Sequence, residues 1–192
     1  MRVLAAFDKC KGSLSAEEMC ALVSERLKMH TDTSVRSLPQ TDGGEGFVSI
    51  LTEAKGGEIR TLEASDSLGR KRLVQIGLLD SKSLSKEVTD LLHLPVIGKV
   101  ALVEMASIVG LADLNNEERT PWKTSTVGVG ECLIECKKYG VSAILLGIGG
   151  SSTNDMGLGA LSSLGIRFLD ENSKTIDFPC PETWDSIHSV DS

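Results

Sequence analysis

The sequence predicts an α/β protein, and three features carry that expectation. Runs of β-branched and aliphatic residues such as Val3 to Phe7, Val100 to Val103 and Val141 to Leu146 have strand length. Segments with apolar residues at helical spacing follow several of them. Glycine-rich loops stand where the strand pattern gives way to the helix pattern, at 41–46 and 147–159. Alternation of this kind builds sheets covered by helices.

Taken in order, Val3 to Phe7 reads as a buried strand that ends at the polar turn Asp8-Lys9-Cys10-Lys11-Gly12. Ser15-Ala16-Glu17-Glu18 has the capping-box arrangement, and Met19, Cys20, Val23 and Leu27 follow at helical spacing. The intervening loop lies at the carboxyl end of a strand, where open α/β sheets bind ligands. Asp8 and Lys11 are therefore candidate site residues, beside the plainer reading of a solvated turn.

A short run through Val35 and Leu38 leads to Thr41-Asp42-Gly43-Gly44-Glu45-Gly46, and Phe47, Val48, Ile50, Leu51 and Ala54 then form a helical face. Asp42 and Glu45 are the residue types that hold Mg2+ or accept a proton from a substrate hydroxyl. They equally suit a helix start, Asp42 as the cap and Glu45 as the partner of the helix dipole.

Ile59 to Ala64 and Arg72 to Leu79 read as a hairpin around Asp66-Ser67-Leu68-Gly69. The change from alternating strand and helix to adjacent strands predicts a domain division: residues 1–60 in a first α/β domain, residues 61–192 in a second, mixed one. Asp80 to Pro95 reads as a polar loop with one short helix, and Val100 to Val103 as a strand ending at Glu104. After the polar stretch Asn115 to Pro121, Ser125 or Thr126 is placed to cap a helix that carries Leu133 and Ile134. Val141 to Leu146 is a further strand, Leu158, Leu161 and Leu164 a further helix, and Ile166 to Leu169 a last strand. Beyond Thr175 the pattern fades.

The loop after Leu146 is the most informative stretch. Gly147, Gly149 and Gly150 allow close backbone approach, and Ser151, Ser152, Thr153 and Asn154 supply polar donors before a helix, a combination suited to phosphate. A tight turn with a helix cap accounts for the same letters. Ser152 stands where a dinucleotide fingerprint needs its third glycine, and no glycine loop ends in Gly-Lys-Ser/Thr, so neither familiar phosphate motif is present.

The 192 residues carry a net charge of −7 without a Lys/Arg-rich block, which argues against nucleic acid and anionic membrane as partners. The apolar start is cut off at Asp8, too short for a signal-peptide core or a membrane span, so a cytoplasmic location is expected. Cys132 and Cys136, one helical turn apart, read as buried small hydrophobes rather than metal ligands. The five cysteines form no CxxC pair and are expected as free thiols.

Five loops together resemble the bacterial type-1 glycerate kinases: Asp8-x-x-Lys11-Gly12-Ser13-Leu14-Ser15, Asp42-Gly43-Gly44-Glu45-Gly46, Glu104-Met105-Ala106, Thr124-Ser125-Thr126-x-Gly128-x-Gly130-Glu131 and Gly147 to Asp155. The resemblance runs from residue 1 to about residue 169. It implies ATP-dependent phosphorylation of D-glycerate with Mg2+, on two α/β domains of which the first is flavodoxin-like. By that resemblance Lys11, Asp42 and Asp155 are catalytic. Gly147, Gly149, Gly150, Ser151, Ser152, Thr153 and Asn154 bind the nucleotide phosphates. Asp8, Gly43, Gly44, Glu45 and Thr126 bind substrate, and Asp42 and Glu45 hold the metal.

Residues 82–97 look inserted relative to the family, and Cys10 stands where the family usually has an aromatic. Family members run to about twice this length, so the sequence reads as an N-terminal half. The partners to expect are D-glycerate, a second copy of the chain, or a missing C-terminal half. Two other readings are a non-catalytic fragment that binds phosphate or nucleotide, and a kinase of a related hydroxy acid.

Overall fold

The structure, a computed structural model, describes residues 1–30 and 32–192. Its elements in chain order are β1 (Arg2–Ala5), α1 (Ala16–His30), β2 (Ser34–Ser37), α2 (Phe47–Ala54), β3 (Glu58–Ser65), β4 (Lys71–Asp80), α3 (Lys86–Leu91), β5 (Lys99–Glu104), α4 (Met105–Val109), α5 (Val127–Lys138), β6 (Ala143–Gly147), α6 (Leu158–Ser163), β7 (Arg167–Leu169) and β8 (Ser189–Asp191). The class is mixed α/β, as the sequence predicts.

β1 and β2 pair in parallel, Arg2 opposite Ser34 and Ala5 opposite Ser37. The capping box forms: the Ser15 amide donates to Glu18 Oε2 at 2.7 Å, and the Glu18 amide to Ser15 Oγ at 3.1 Å. Small residues let α1 lie close on the pair. Cys20 Sγ donates to the Ala5 carbonyl at 3.3 Å, and Ser24 and Ser37 share a hydroxyl contact of 3.0 Å.

The larger sheet has the order β3-β4-β5-β6, antiparallel except for the last pair. Strand periodicity distributes β5 between two cores. Ala101 and Val103 join Leu62, Ile76, Cys132 and Cys136 beneath α4 and α5, whereas Val100 and Leu102 join Val48 and Leu79 beneath α2. Burial on both faces explains why β5 reads as an unbroken apolar run. Helix α2 thus packs on the four-stranded sheet, and Leu84 and Leu94 of the 82–97 segment pack on that same second core.

Two elements differ from expectation. The five-residue α4 follows β5 directly, where no helix is predicted. Order also continues past Thr175: a 3₁₀ segment, Pro181–Ser186, leads into β8, whose Val190 faces Phe168 of β7.

Candidate active site

The two glycine loops meet. The Gly149 amide donates to the Gly43 carbonyl at 2.9 Å. A Cβ on Gly149 would lie 2.8 Å from the Gly44 backbone, and one on Gly147 would lie 2.6 Å from the Gly43 carbonyl. Gly43 itself has φ +88°, a conformation open to glycine. Backbone contact alone therefore excludes side chains at 147 and 149.

Lys9 organises the charges beside this seam. Its Nζ lies 2.9 Å from Asp42 Oδ1, 3.4 Å from Glu45 Oε2 and 3.9 Å from Asp8 Oδ1, with the lysine side chain only 11% exposed. Burial by itself would lower the Lys9 pKa, but the hydrogen bond and charge of Asp42, with Asp8 and Glu45, outweigh it and raise the value. The Lys9 hydrogen bond and the Gly44 amide hold Asp42 below the usual carboxylate range. Lys11, the lysine expected to be catalytic in this loop, is exposed on the cleft, while its neighbour Lys9 takes the central position.

A cleft of about 570 Å3 opens here, lined among others by Lys9, Lys11, Asp42, Glu45, Gly150, Leu111, Ala112 and Arg119. A second cleft of about 310 Å3 adjoins it across Leu111 and Arg119, and Ser151, Ser152, Thr153 and Asn154 line it. Part of the polar capacity of this wall is used internally. The Ser152 amide and hydroxyl both donate to the Val109 carbonyl at 2.8 Å, and the Thr153 amide donates to Ser151 Oγ at 3.0 Å.

Asp155 and Thr126 line neither cleft. Asp155 is 1% exposed. Its Oδ2 accepts from the Thr126 amide and hydroxyl at 2.8 Å each and from the Gly159 amide at 3.0 Å, while Oδ1 accepts from the Gly157 amide at 3.2 Å. The carboxylate ties the start of α5 to the loop before α6. The expected cap of α5 is corrected accordingly: Thr126 stands at the N-cap position without a side-chain cap bond, and Asp155 supplies the acceptor.

A similar substitution occurs at α2. Gly46 is the N-cap residue, Asp42 Oδ1 accepts from the Gly44 amide instead, and Glu104 Oε2 reaches across from β5 to accept from the Val48 amide at 3.1 Å. Burial raises the Glu104 pKa against the opposing hydrogen bond from Val48, and the nearby charge of Glu45 adds to the rise. Among the described residues no group of three or more His, Cys, Asp or Glu could hold a metal ion, and no helix is long and apolar enough to cross a membrane. Cys132 and Cys136 are fully buried. Burial first, then neighbouring charge, pushes their thiols up to about 12 and about 11.

The sequence model of the glycerate kinase family matches residues 3–192. The chain belongs to the glycerate kinase family. It is 35% identical to a glycerate kinase from Haemophilus influenzae, over 93% of this chain and 43% of that protein. A glycerate kinase from Bacillus cereus is 33% identical over 100% of this chain and 46% of its own length. For a glycerate 2-kinase from Escherichia coli the identity is 32%, over 93% of this chain and 43% of that protein. The crystal structure of a Salmonella typhimurium LT2 protein assigned as glycerate kinase 2 superposes with a TM-score of 0.70 and 32% identity, covering 100% of this chain and 47% of that one. The chain thus spans a little under half the length of the family members it matches.

Proposed function

We propose that the chain forms much of the site for ATP-dependent phosphorylation of D-glycerate, in the cytoplasm. The observation that carries this reading is the pair of adjoining clefts, one lined by lysines and carboxylates, the other by hydroxyls next to a glycine loop. Phosphoryl transfer asks a protein mainly for positioning and charge stabilisation.

In this reading glycerate occupies the larger cleft. Lys11 meets its carboxylate, and Asp42 orients the attacking hydroxyl, its charge set by Lys9. Glu45 completes that wall, while Asp8, Gly43 and Gly44 stand behind it, Asp8 beside Lys9 and the two glycines at the seam with Gly149. The triphosphate lies against Gly150, Ser151, Ser152, Thr153 and Asn154. Gly147 and Gly149 act by letting the two loops touch, and Asp155 and Thr126 by fastening the loop from behind.

The residues present fit Mg2+ brought in with the nucleotide. Lys9 engages one oxygen of Asp42 and one of Glu45, and Mg2+ is usually held by one or two carboxylates together with substrate phosphates. Asp42 and Glu45 would hold it, and its chemistry is to neutralise phosphate charge. The division into a flavodoxin-like domain beginning in residues 1–60 and a mixed domain in 61–192 belongs to this proposal, with α2 reaching onto the second sheet.

The test is coupled ADP release with D-glycerate, Mg2+ and ATP, on this chain alone and on the chain joined to the C-terminal half its relatives carry. Turnover is expected from the joined protein and little from the chain alone. No turnover of D-glycerate by a folded joined protein that still binds ATP would favour a related hydroxy acid. A second reading, binding of phosphate or nucleotide without catalysis, rests on the hydroxyl-lined smaller cleft, and nucleotide binding with no turnover of any hydroxy acid would establish it.

A further inference from the structure

Arg119 borders both clefts and is the charged residue lining the smaller one. Its Nε donates to the Leu114 carbonyl at 3.1 Å, an anchor that leaves the two terminal amino groups of the fork for other acceptors. Among the described residues Arg119 makes no ion pair.

The loop beneath it is held firmly. Glu118 Oε1 accepts from Arg70 Nη1 at 2.6 Å, and Asn115 Oδ1 accepts from the Glu117 and Glu118 amides at 2.9 and 3.0 Å. Arg70 in turn donates through Nε to Asp66 Oδ2 at 2.5 Å, and buried Asp66 is fixed by the Leu68 and Arg70 amides. The other cations of the larger cleft are differently placed. Lys9 is committed to three carboxylates, and Lys11, exposed as Arg119 is, lines the larger cleft but not the smaller.

We infer that Arg119 stabilises the phosphoryl group as it passes from one cleft to the other, an assignment that rests on the kinase reading above. In that step the bond between the β,γ-bridging oxygen and the γ-phosphorus of ATP breaks. A bond forms from the glycerate hydroxyl oxygen to the same phosphorus, the hydroxyl proton passes to Asp42 or to water, and ADP is left. Negative charge is then spread over the equatorial phosphoryl oxygens, and a planar guanidinium fork matches two of them while gaining or losing no proton. Glu118 and Arg70 are positioning residues for it.

The test uses the chain joined to the C-terminal half its relatives carry, unmodified and with Arg119→Ala or Arg119→Lys, with circular dichroism confirming the fold. Turnover is expected to fall by about 100- to 1,000-fold, with a KM for D-glycerate changed by less than about threefold. The lysine variant should stay low, because an ammonium lacks the fork, and added guanidinium ion should restore part of the Arg119→Ala rate. Turnover by Arg119→Ala within about threefold of the unmodified protein would overturn the assignment and leave the kinase reading standing. Absence of D-glycerate turnover by the unmodified joined protein would count against the D-glycerate reading instead. Calorimetry with Mg2+ and AMP-PNP then decides for Arg119: a Kd about tenfold weaker in Arg119→Ala supports it as a phosphate ligand, and an unchanged Kd overturns it.

Discussion

The Gly149 amide and the Gly43 carbonyl are joined at 2.9 Å, so the loops after β6 and before α2 touch backbone to backbone. Any side chain at 149 must push them apart.

Gly149→Val is therefore expected to cost about 1 to 3 kcal/mol of stability through overpacking and, under the proposed function, to abolish ATP binding in the joined protein. Thermal melting followed by titration calorimetry reads both effects. Unchanged nucleotide affinity in a folded variant would detach this loop from the phosphate.

Asp155→Asn exchanges an acceptor surrounded by N–H and O–H donors for a group that carries donors of its own. The expected loss is about 2 to 4 kcal/mol, measured by urea unfolding. A loss below about 0.5 kcal/mol would mean that the network joining α5 to α6 is dispensable.

The raised pKa of Glu104 predicts a pH dependence. Between the ordinary carboxylate value and its folded value this group binds more protons in the folded than in the unfolded chain, so it lowers stability as pH rises through that window. Glu104→Gln keeps an oxygen for the Val48 amide and removes the titration. Its Tm relative to the unmodified protein should rise between pH 4 and pH 7, and a pH-independent difference would contradict the assignment.

Native protein should present one fast-reacting thiol to a disulfide reagent such as DTNB at pH 8. Cys10 is exposed, whereas Cys20, Cys132, Cys136 and Cys180 are buried, and burial keeps Cys132 and Cys136 protonated. More than one rapid equivalent, counted at 412 nm, would show that the core opens readily.

Local pattern carried the features it could physically encode. The strand-length runs Glu58–Ser65 and Lys71–Asp80 around the turn at 66–69 report a hairpin, and Ser15 with Glu18, three residues on, reports a helix start. β8 was illegible because three exposed residues become a strand only through Arg167–Leu169. At the site, Lys9 and Lys11 share one turn, and only the arrival of Asp42 and Glu45 from 33 or more residues away separates them. Asp155 beside Asn154 looks like a reactive carboxylate until the start of α5 encloses it. Arg119 lies in a polar stretch without periodicity, and its placement depends on Arg70, 48 residues from Glu118.

A seam made only of main chain offers nothing for selection to vary. Under the kinase reading, preference among hydroxy acids would then be written on the apolar side chains that border the larger cleft, Leu14, Leu111 and Ala112. A small combinatorial library at those three sites would retune acceptor choice while leaving the touching glycines intact.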